Sequence, residues 1–256
     1  MAYRYATERV DHSDLASGFV LRSAPGFTAF PVRLASETFQ RALALRGGDE
    51  PAVLWDPCCG KGYLSTVLGL VHRDRIAAVV ASDIDDASLE IARANLALLT
   101  ARGLAARAAE QREKAARFAK PGYADAAAAA DRLAARLAAD GGDLPHTVAH
   151  ADVFDPSALE RAAAGFAPDV VVTDVPYGER VQWQGASGTG LPGMLTSLAR
   201  VLPERGVIAI GVRGRKFPPV PGVPARKFRV GTRSMGLFRV ADVRAAGAAG
   251  AAGPAD

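Results

Sequence analysis

Cysteine is nearly absent from this 256-residue chain, which has only Cys58 and Cys59, side by side. Neighbouring cysteines are poorly placed for a disulfide and lack the C-x-x-C spacing of a zinc site, so both are read as reduced and no metal is expected. A disulfide-built secreted scaffold is thereby excluded, and a cytoplasmic protein is expected. No segment reaches the roughly 18 uninterrupted apolar residues of a membrane span. The opening MAYRYATERVDHSD has early charges and no apolar stretch behind them, unlike a signal peptide. Also missing are the GxGxxG of dinucleotide enzymes and the GxxxxGK[ST] of phosphate loops. Finally, no Asp or Glu occurs between Gly206 and Ala241.

That last gap is filled by charge of the other sign: Arg213, Arg215, Lys216, Arg226, Lys227, Arg229, Arg233 and Arg239. Net charge is only +4, so where the cations sit matters more than their number. A one-signed block attracts a polyanion through its summed field and by counterion release, although the rim of a sheet can carry the same residues. Hydrophobic residues make up 49% of the chain, enough for a real core.

The apolar pattern alternates between strand and helix. AVLWD (52–56), AAVVASD (77–83), TVAHAD (147–152), DVVVTD (169–174) and GVIAIGV (206–212) read as strands. PVRLASETFQRALAL (31–45), GYLSTVLGLVHR (62–73), DASLEIARANLALL (86–99) and GMLTSLARVL (193–202) read as helices. Short, continuously apolar strands alternating with helices predict an α/β fold with a mostly parallel sheet covered on both faces. Residues 101–143, split at Lys120–Pro121–Gly122, read as an inserted, solvated helical hairpin. The prolines of 214–225 exclude a helix there, and RKFRVG with SMGLFRV predicts a closing antiparallel hairpin. One domain is expected over 1–245, with an N-terminal extension and helix over 1–50, followed by a disordered tail over 246–256.

Four acidic residues fall at predicted strand ends: Asp56, Asp83, Asp152 and Asp174. Open α/β sheets bind ligands at that carboxyl edge, so the shared position weighs more than any single residue. After Asp56, the turn PCCGKG offers Gly60 and Gly62, which let a ligand approach backbone at a helix N-terminus. A carboxylate before the turn suits a positively charged amino group better than a pyrophosphate. Asp83 stands where an acid takes a ribose diol, and Asp152 where one could accept from an adenine amine.

These motifs together resemble the Rossmann-like S-adenosylmethionine-dependent methyltransferases. DPCCGKG is similar to their first motif, Asp83–Ile84 to the ribose-binding acid, Asp152–Val153 to the adenine-contacting pair, and DVPY to the [DN]PP[YF] motif of enzymes that methylate nitrogen. The continuation PYGER resembles the guanine-N2 branch. Over roughly residues 2–245, stretches such as SDLASGFVLRSAPG, FPVRLASETFQRAL and YLSTVLGLVHR resemble the avilamycin-resistance 23S rRNA methyltransferase family. Two positions depart from the superfamily pattern: Val175 replaces the first proline, and Lys61 stands between the two glycines.

The resemblance implies S-adenosylmethionine as cofactor, 23S rRNA or the large ribosomal subunit as partner, guanine N2 as target, resistance to orthosomycins as outcome, and a Rossmann-like sheet. It implies cofactor contacts from Asp56, Cys58, Gly60, Gly62, Tyr63, Asp83, Ile84, Asp152 and Val153. Asp174 and the Val175 carbonyl would accept the amine's hydrogen bonds, Pro176 would set the turn, and Tyr177 would stack on the base. A guanine N2 is engaged in normal pairing, so the target must be unpaired or flipped out. Arg180, Trp183, Arg213, Arg215, Lys216, Arg226, Lys227 and Arg233 are the expected RNA contacts. A monomer is expected. An adenine-N6 or amide-nitrogen methyltransferase, or a non-catalytic RNA-binding assembly protein, stays open on the sequence.

Overall fold

Strands that are apolar throughout must be covered twice, and the order of elements supplies the cover. The computed structural model describes residues 3–24, 29–175 and 190–251. One seven-stranded sheet has the order β3-β2-β1-β4-β5-β7-β6. Its strands are β1 (Ala52–Asp56), β2 (Ile76–Asp83), β3 (His146–His150), β4 (Val170–Val175), β5 (Val207–Arg213), β6 (Arg226–Val230) and β7 (Arg233–Arg239). The first five are parallel, while β7 runs antiparallel to β5 and β6 antiparallel to β7. This is the Rossmann-like sheet with a closing antiparallel hairpin that the sequence predicts.

Alternate residues of each strand enter different cores. Leu54, Val79, Val170 and Val172 pack under α1 (Val32–Arg46), α2 (Tyr63–Val71) and α3 (Asp86–Leu96). Trp55, Val80, Val171 and Ile208 pack under α6 (Pro156–Ala163), α7 (Gly190–Val201) and α8 (Val240–Ala251). The remaining helices, α4 (Ala101–Phe118) and α5 (Pro121–Ala139), are the predicted hairpin. It is less solvated than expected: Leu104, Ala108, Ala126, Ala129, Ala130 and Leu137 are buried. Among the described residues, no helix is long and apolar enough to cross a membrane.

Three expectations are corrected. β3 stops at His150, so Asp152 lies in the turn beyond it. The turn is closed by Asp152 itself, whose Oδ1 accepts from the Phe154 N–H at 2.9 Å and whose carbonyl accepts from Asp155 at 3.0 Å. The unpredicted α6 follows at once; Pro156 occupies its first turn and Asp155 caps it by accepting from the Ser157 N–H. The tail read as disordered is helical as far as Ala251. Alanine's helix propensity carries it, once Arg244 has tied the helix to the carbonyls of Ala199 and Leu202 at 2.8 and 2.7 Å.

From β1 the chain winds outward through β2 and β3, then returns to place β4 on the other side of β1. The carboxyl ends of β1 and β4 therefore flank the point where strand order reverses, the usual crevice for a ligand in such sheets.

Candidate active site

The glycine turn after β1 is shaped by backbone need and by close packing. Gly60 and Gly62 have φ of 50° and 70°, the left-handed region that favours glycine. A Cβ on Gly62 would meet Leu96 Cδ1 at 2.7 Å, so this glycine lets α2 seat against α3. A Cβ on Gly60 would meet nothing within 4 Å; that position opens onto the cleft. Lys61 offers its carbonyl to the Asn95 amide at 2.8 Å, and its charge reaches the exposed Asp85.

Asp83 helps build this turn. Its Oδ2 accepts from the Gly60 N–H at 2.7 Å and its Oδ1 from the Asp85 N–H at 3.0 Å. The neighbouring Ile84 is half-buried, and its carbonyl lies 3.1 Å from His150 Nε2. Tyr63 lines the cleft with its ring, while its hydroxyl donates to the Leu15 carbonyl at 2.9 Å. Val153 belongs to the buried core under α6 and α7. Asp152 stays near the turn, close enough for its charge to raise the Cys58 thiol.

The cleft is lined by Phe30, Asp56, Cys58, Cys59, Gly60, Tyr63, Leu64 and Asp174. Asp56 is 1% exposed and, among the described residues, accepts from neutral donors, the Ser65 hydroxyl at 3.2 Å and the Cys58 N–H at 3.4 Å. Burial, helped by the nearby charge of Asp83, pushes its carboxyl up to about 7. Burial and the same carboxylates push both thiols well above the ordinary cysteine range, so neither is an activated nucleophile.

Asp174 stands farther out along β4 than Asp56 along β1, because Trp55 pairs with Val171. Its Oδ2 accepts from Arg233 Nη1, and its Oδ1 is buried with no hydrogen-bond partner among the described residues. Burial raises the carboxyl above its ordinary value against the opposing pull of Arg233 and Arg213. Val175, the last residue of β4, is buried. Pro176, Tyr177, Arg180 and Trp183 lie outside the described residues.

Arg233 is the clearest correction to the sequence reading. It was expected at an RNA surface, but it is 6% exposed, bonded to Asp174 and stacked 4.6 Å from the centroid of the Phe30 ring. β7 starts beside the carboxyl end of β5, which carries this arginine inward to the carboxylate. Arg213, Arg215, Lys216, Arg226 and Lys227 are exposed, as an RNA-contact reading requires. Sequence reasoning missed Phe30 and Thr173 as well. The Thr173 hydroxyl faces Asp56 and Cys58 without a well-aligned hydrogen bond. A signal for Thr173 was available, since it directly precedes Asp174 on a strand; none existed for the Phe30–Arg233–Asp174 stack.

A family profile described as "rRNA methyltransferase AviRa" matches residues 1–233. The chain belongs to this rRNA methyltransferase family. It is 57% identical over 247 residues, 96% of this chain and 99% of the relative, to the 23S rRNA (guanine(2535)-N(1))-methyltransferase of Streptomyces viridochromogenes. Two solved structures of the rRNA methyltransferase aviRa from Streptomyces viridochromogenes, at 1.5 Å and 2.4 Å, match with TM-scores of 0.91 and 0.90. Each is 57% identical and covers 96% of this chain and 100% of that chain.

The methyl donor of the family is S-adenosylmethionine, and the cleft fits it. Asp56 is a buried carboxylate with no cationic partner among the described residues, which a positively charged ligand would relieve. The open face of Gly60 leaves room for close approach beside it.

Proposed function

We propose that this enzyme methylates a guanine of 23S rRNA, and that the acceptor is the ring nitrogen N1 rather than the exocyclic N2 expected from the D-x-P-Y-G-E-R stretch. The relative at 57% identity is named for N1. The observation that carries the reading is Asp174: a half-buried carboxylate with a raised pKa, one oxygen bonded to Arg233 and the other buried with no partner among the described residues.

Guanine N1 carries one proton, which must leave when the nitrogen is methylated. An unpartnered carboxylate oxygen can accept that N1–H and then take the proton. Burial makes Asp174 a better proton acceptor than a solvated carboxylate, while the Arg233 charge opposes that shift. As N1 loses its proton, negative charge builds on O6 of the base, and the cation beside Asp174 stabilises it. Bound S-adenosylmethionine supplies an electrophilic methyl group. Asp56 would hold its ammonium, and Asp83 with the Gly60 turn would hold its nucleoside part. The basic block Arg213, Arg215, Lys216, Arg226 and Lys227, with Arg180 and Trp183, guides the RNA. By resemblance to the avilamycin-resistance family, the modification lowers sensitivity to orthosomycins.

The test is mass spectrometry of nucleosides from 23S rRNA treated with enzyme and S-adenosylmethionine. One new N1-methylguanosine is expected. N2-methylguanosine instead would overturn the ring-nitrogen assignment, and no methylated guanosine would overturn the whole reading.

A further inference from the structure

The inserted hairpin stands on the cofactor turn and reaches past it. On α4, Arg107 donates to the carbonyls of Val20 and Phe19 at 2.8 and 2.9 Å, and Glu110 accepts from Arg22 at 2.6 Å. The Arg22 N–H donates to Asn95 Oδ1 at 2.7 Å, and the same Asn95 amide holds the Lys61 carbonyl in the glycine turn at 2.8 Å. On α5, Arg132 pairs with Asp14, beside the Leu15 carbonyl that Tyr63 holds. Both helices are thus tied at the level of the sheet's carboxyl edge, near residues 110 and 132. The residues between those ties, 111–118 and 121–131, add about 12 Å and about 16 Å of helix at 1.5 Å per residue.

Chemistry changes along this arm. Below the tip every cation of the arm but the exposed Arg102 is paired: Glu110 binds Arg22, Arg107 and Lys114, Arg112 pairs with Asp131, Arg132 with Asp14 and Arg136 with Asp140. At the tip, exposed Arg117 and Lys120 have no acidic partner among the described residues. The nearest acids, Glu113 and Asp125, sit about a turn back on their helices. Phe118 is 49% exposed, one of two large hydrophobics so exposed among the described residues. Its ring lies 6.0 Å from that of Tyr123 and beneath the Arg117 guanidinium, 5.2 Å away. Lys120 and Tyr123 also border a groove shared with Gly18 and Phe19. A solvated helix end gains nothing from an exposed phenylalanine. Flat rings between unpaired cations are what stacks on a base and holds the adjoining phosphates.

We propose that the α4–α5 hairpin is an RNA-reading arm, whose tip (Arg117, Phe118, Lys120 and Tyr123) stacks on an unpaired base of the rRNA substrate and grips its backbone. The inference rests on the rRNA-substrate reading above and adds where that RNA is held. RNA entering the cleft then meets the arm on one side and Arg213, Arg215 and Lys216, beyond β5, on the other.

Three variants decide it: Phe118→Ala, Arg117→Glu with Lys120→Glu, and a control, Arg161→Glu with Arg200→Glu, on exposed helix residues under the opposite face. With naked 23S rRNA, both tip variants should raise KM about tenfold or more, leaving kcat and the Kd for S-adenosylmethionine within twofold. The charge-reversed tip should also flatten the dependence of KM on salt, and the control should do none of this. Unchanged KM for both tip variants on naked RNA overturns the proposal. So does a loss confined to assembled subunits, which would assign the tip to a ribosomal protein. Filter retention of 23S rRNA reads the arm even without methyl transfer: silent wild-type chemistry with tip-dependent RNA binding defeats the activity and keeps the arm.

Discussion

Replacing Asp56 with asparagine should make the free protein more stable and the cofactor bind worse. Asp56 is 1% exposed, and burial lifts its carboxyl from 3.8 to about 7. A carboxyl with a raised folded pKa binds its proton more tightly folded than unfolded. Stability therefore falls as pH rises from about 4 through about 7 and stays low above that range. At 1.36 kcal/mol per pKa unit the full cost is about 4 kcal/mol, and relaxation of the cleft brings it to about 2–4 kcal/mol. Asparagine is isosteric, keeps an oxygen for the Cys58 N–H, and turns an amide toward Thr173, whose hydroxyl has no well-aligned partner. At pH 8 the free variant should melt roughly 5–10 °C above wild type, since 1 kcal/mol is worth about 2–4 °C in a chain of this size. Its Kd for S-adenosylmethionine should rise about 10- to 100-fold through loss of a charged hydrogen bond of about 1.5–3 kcal/mol. Differential scanning fluorimetry from pH 4 to 8, with calorimetric titration of the cofactor at pH 8, reads both effects. A variant that keeps the wild-type fall in stability with pH, or that melts lower at pH 8, would refute the reasoning.

Asp174→Asn should reduce methyl transfer to 23S rRNA by about 10²- to 10⁴-fold, the usual worth of a proton acceptor, with cofactor binding unchanged by calorimetry. Arg233→Met leaves the half-buried Asp174 without its cation. The carboxyl then stays protonated to higher pH, and the acid limb of the kcat/KM profile should move to higher pH. Arg233→Lys should restore part of that shift. Glu37→Gln should lower stability by about 2 kcal/mol and speed tryptic cleavage at Arg4, because Glu37 accepts three backbone N–H groups, from Arg4, Tyr5 and Ala6, at 2.7–2.8 Å. Burial alone would raise this carboxyl, but those bonds hold it below its ordinary value. Its stabilisation is therefore present above the unfolded pKa and lost as pH falls through the folded one.

The alternation of apolar strands with helices fixed the fold, since the sheet's two faces each demanded cover and β1, β2, β4 and β5 are apolar through most of their length. The carboxyl-edge position of Asp56, Asp83 and Asp174 was legible for the same reason: strand direction alone assigns it. Asp152 was misplaced by two residues because its side chain ends the strand locally, and an Asx turn carries no apolar signal. The tail was misread because low complexity hid a helix that one arginine anchors. What only the tertiary structure decided is the environment of each charge. Arg233 looked like its neighbours in a basic block, yet β7 turns it into the cleft against Asp174 and Phe30, while Arg226 and Lys227 stay outside. A residue's charge is written in the chain, but its pKa and its partner depend on burial and distance, which are set by residues far away in sequence.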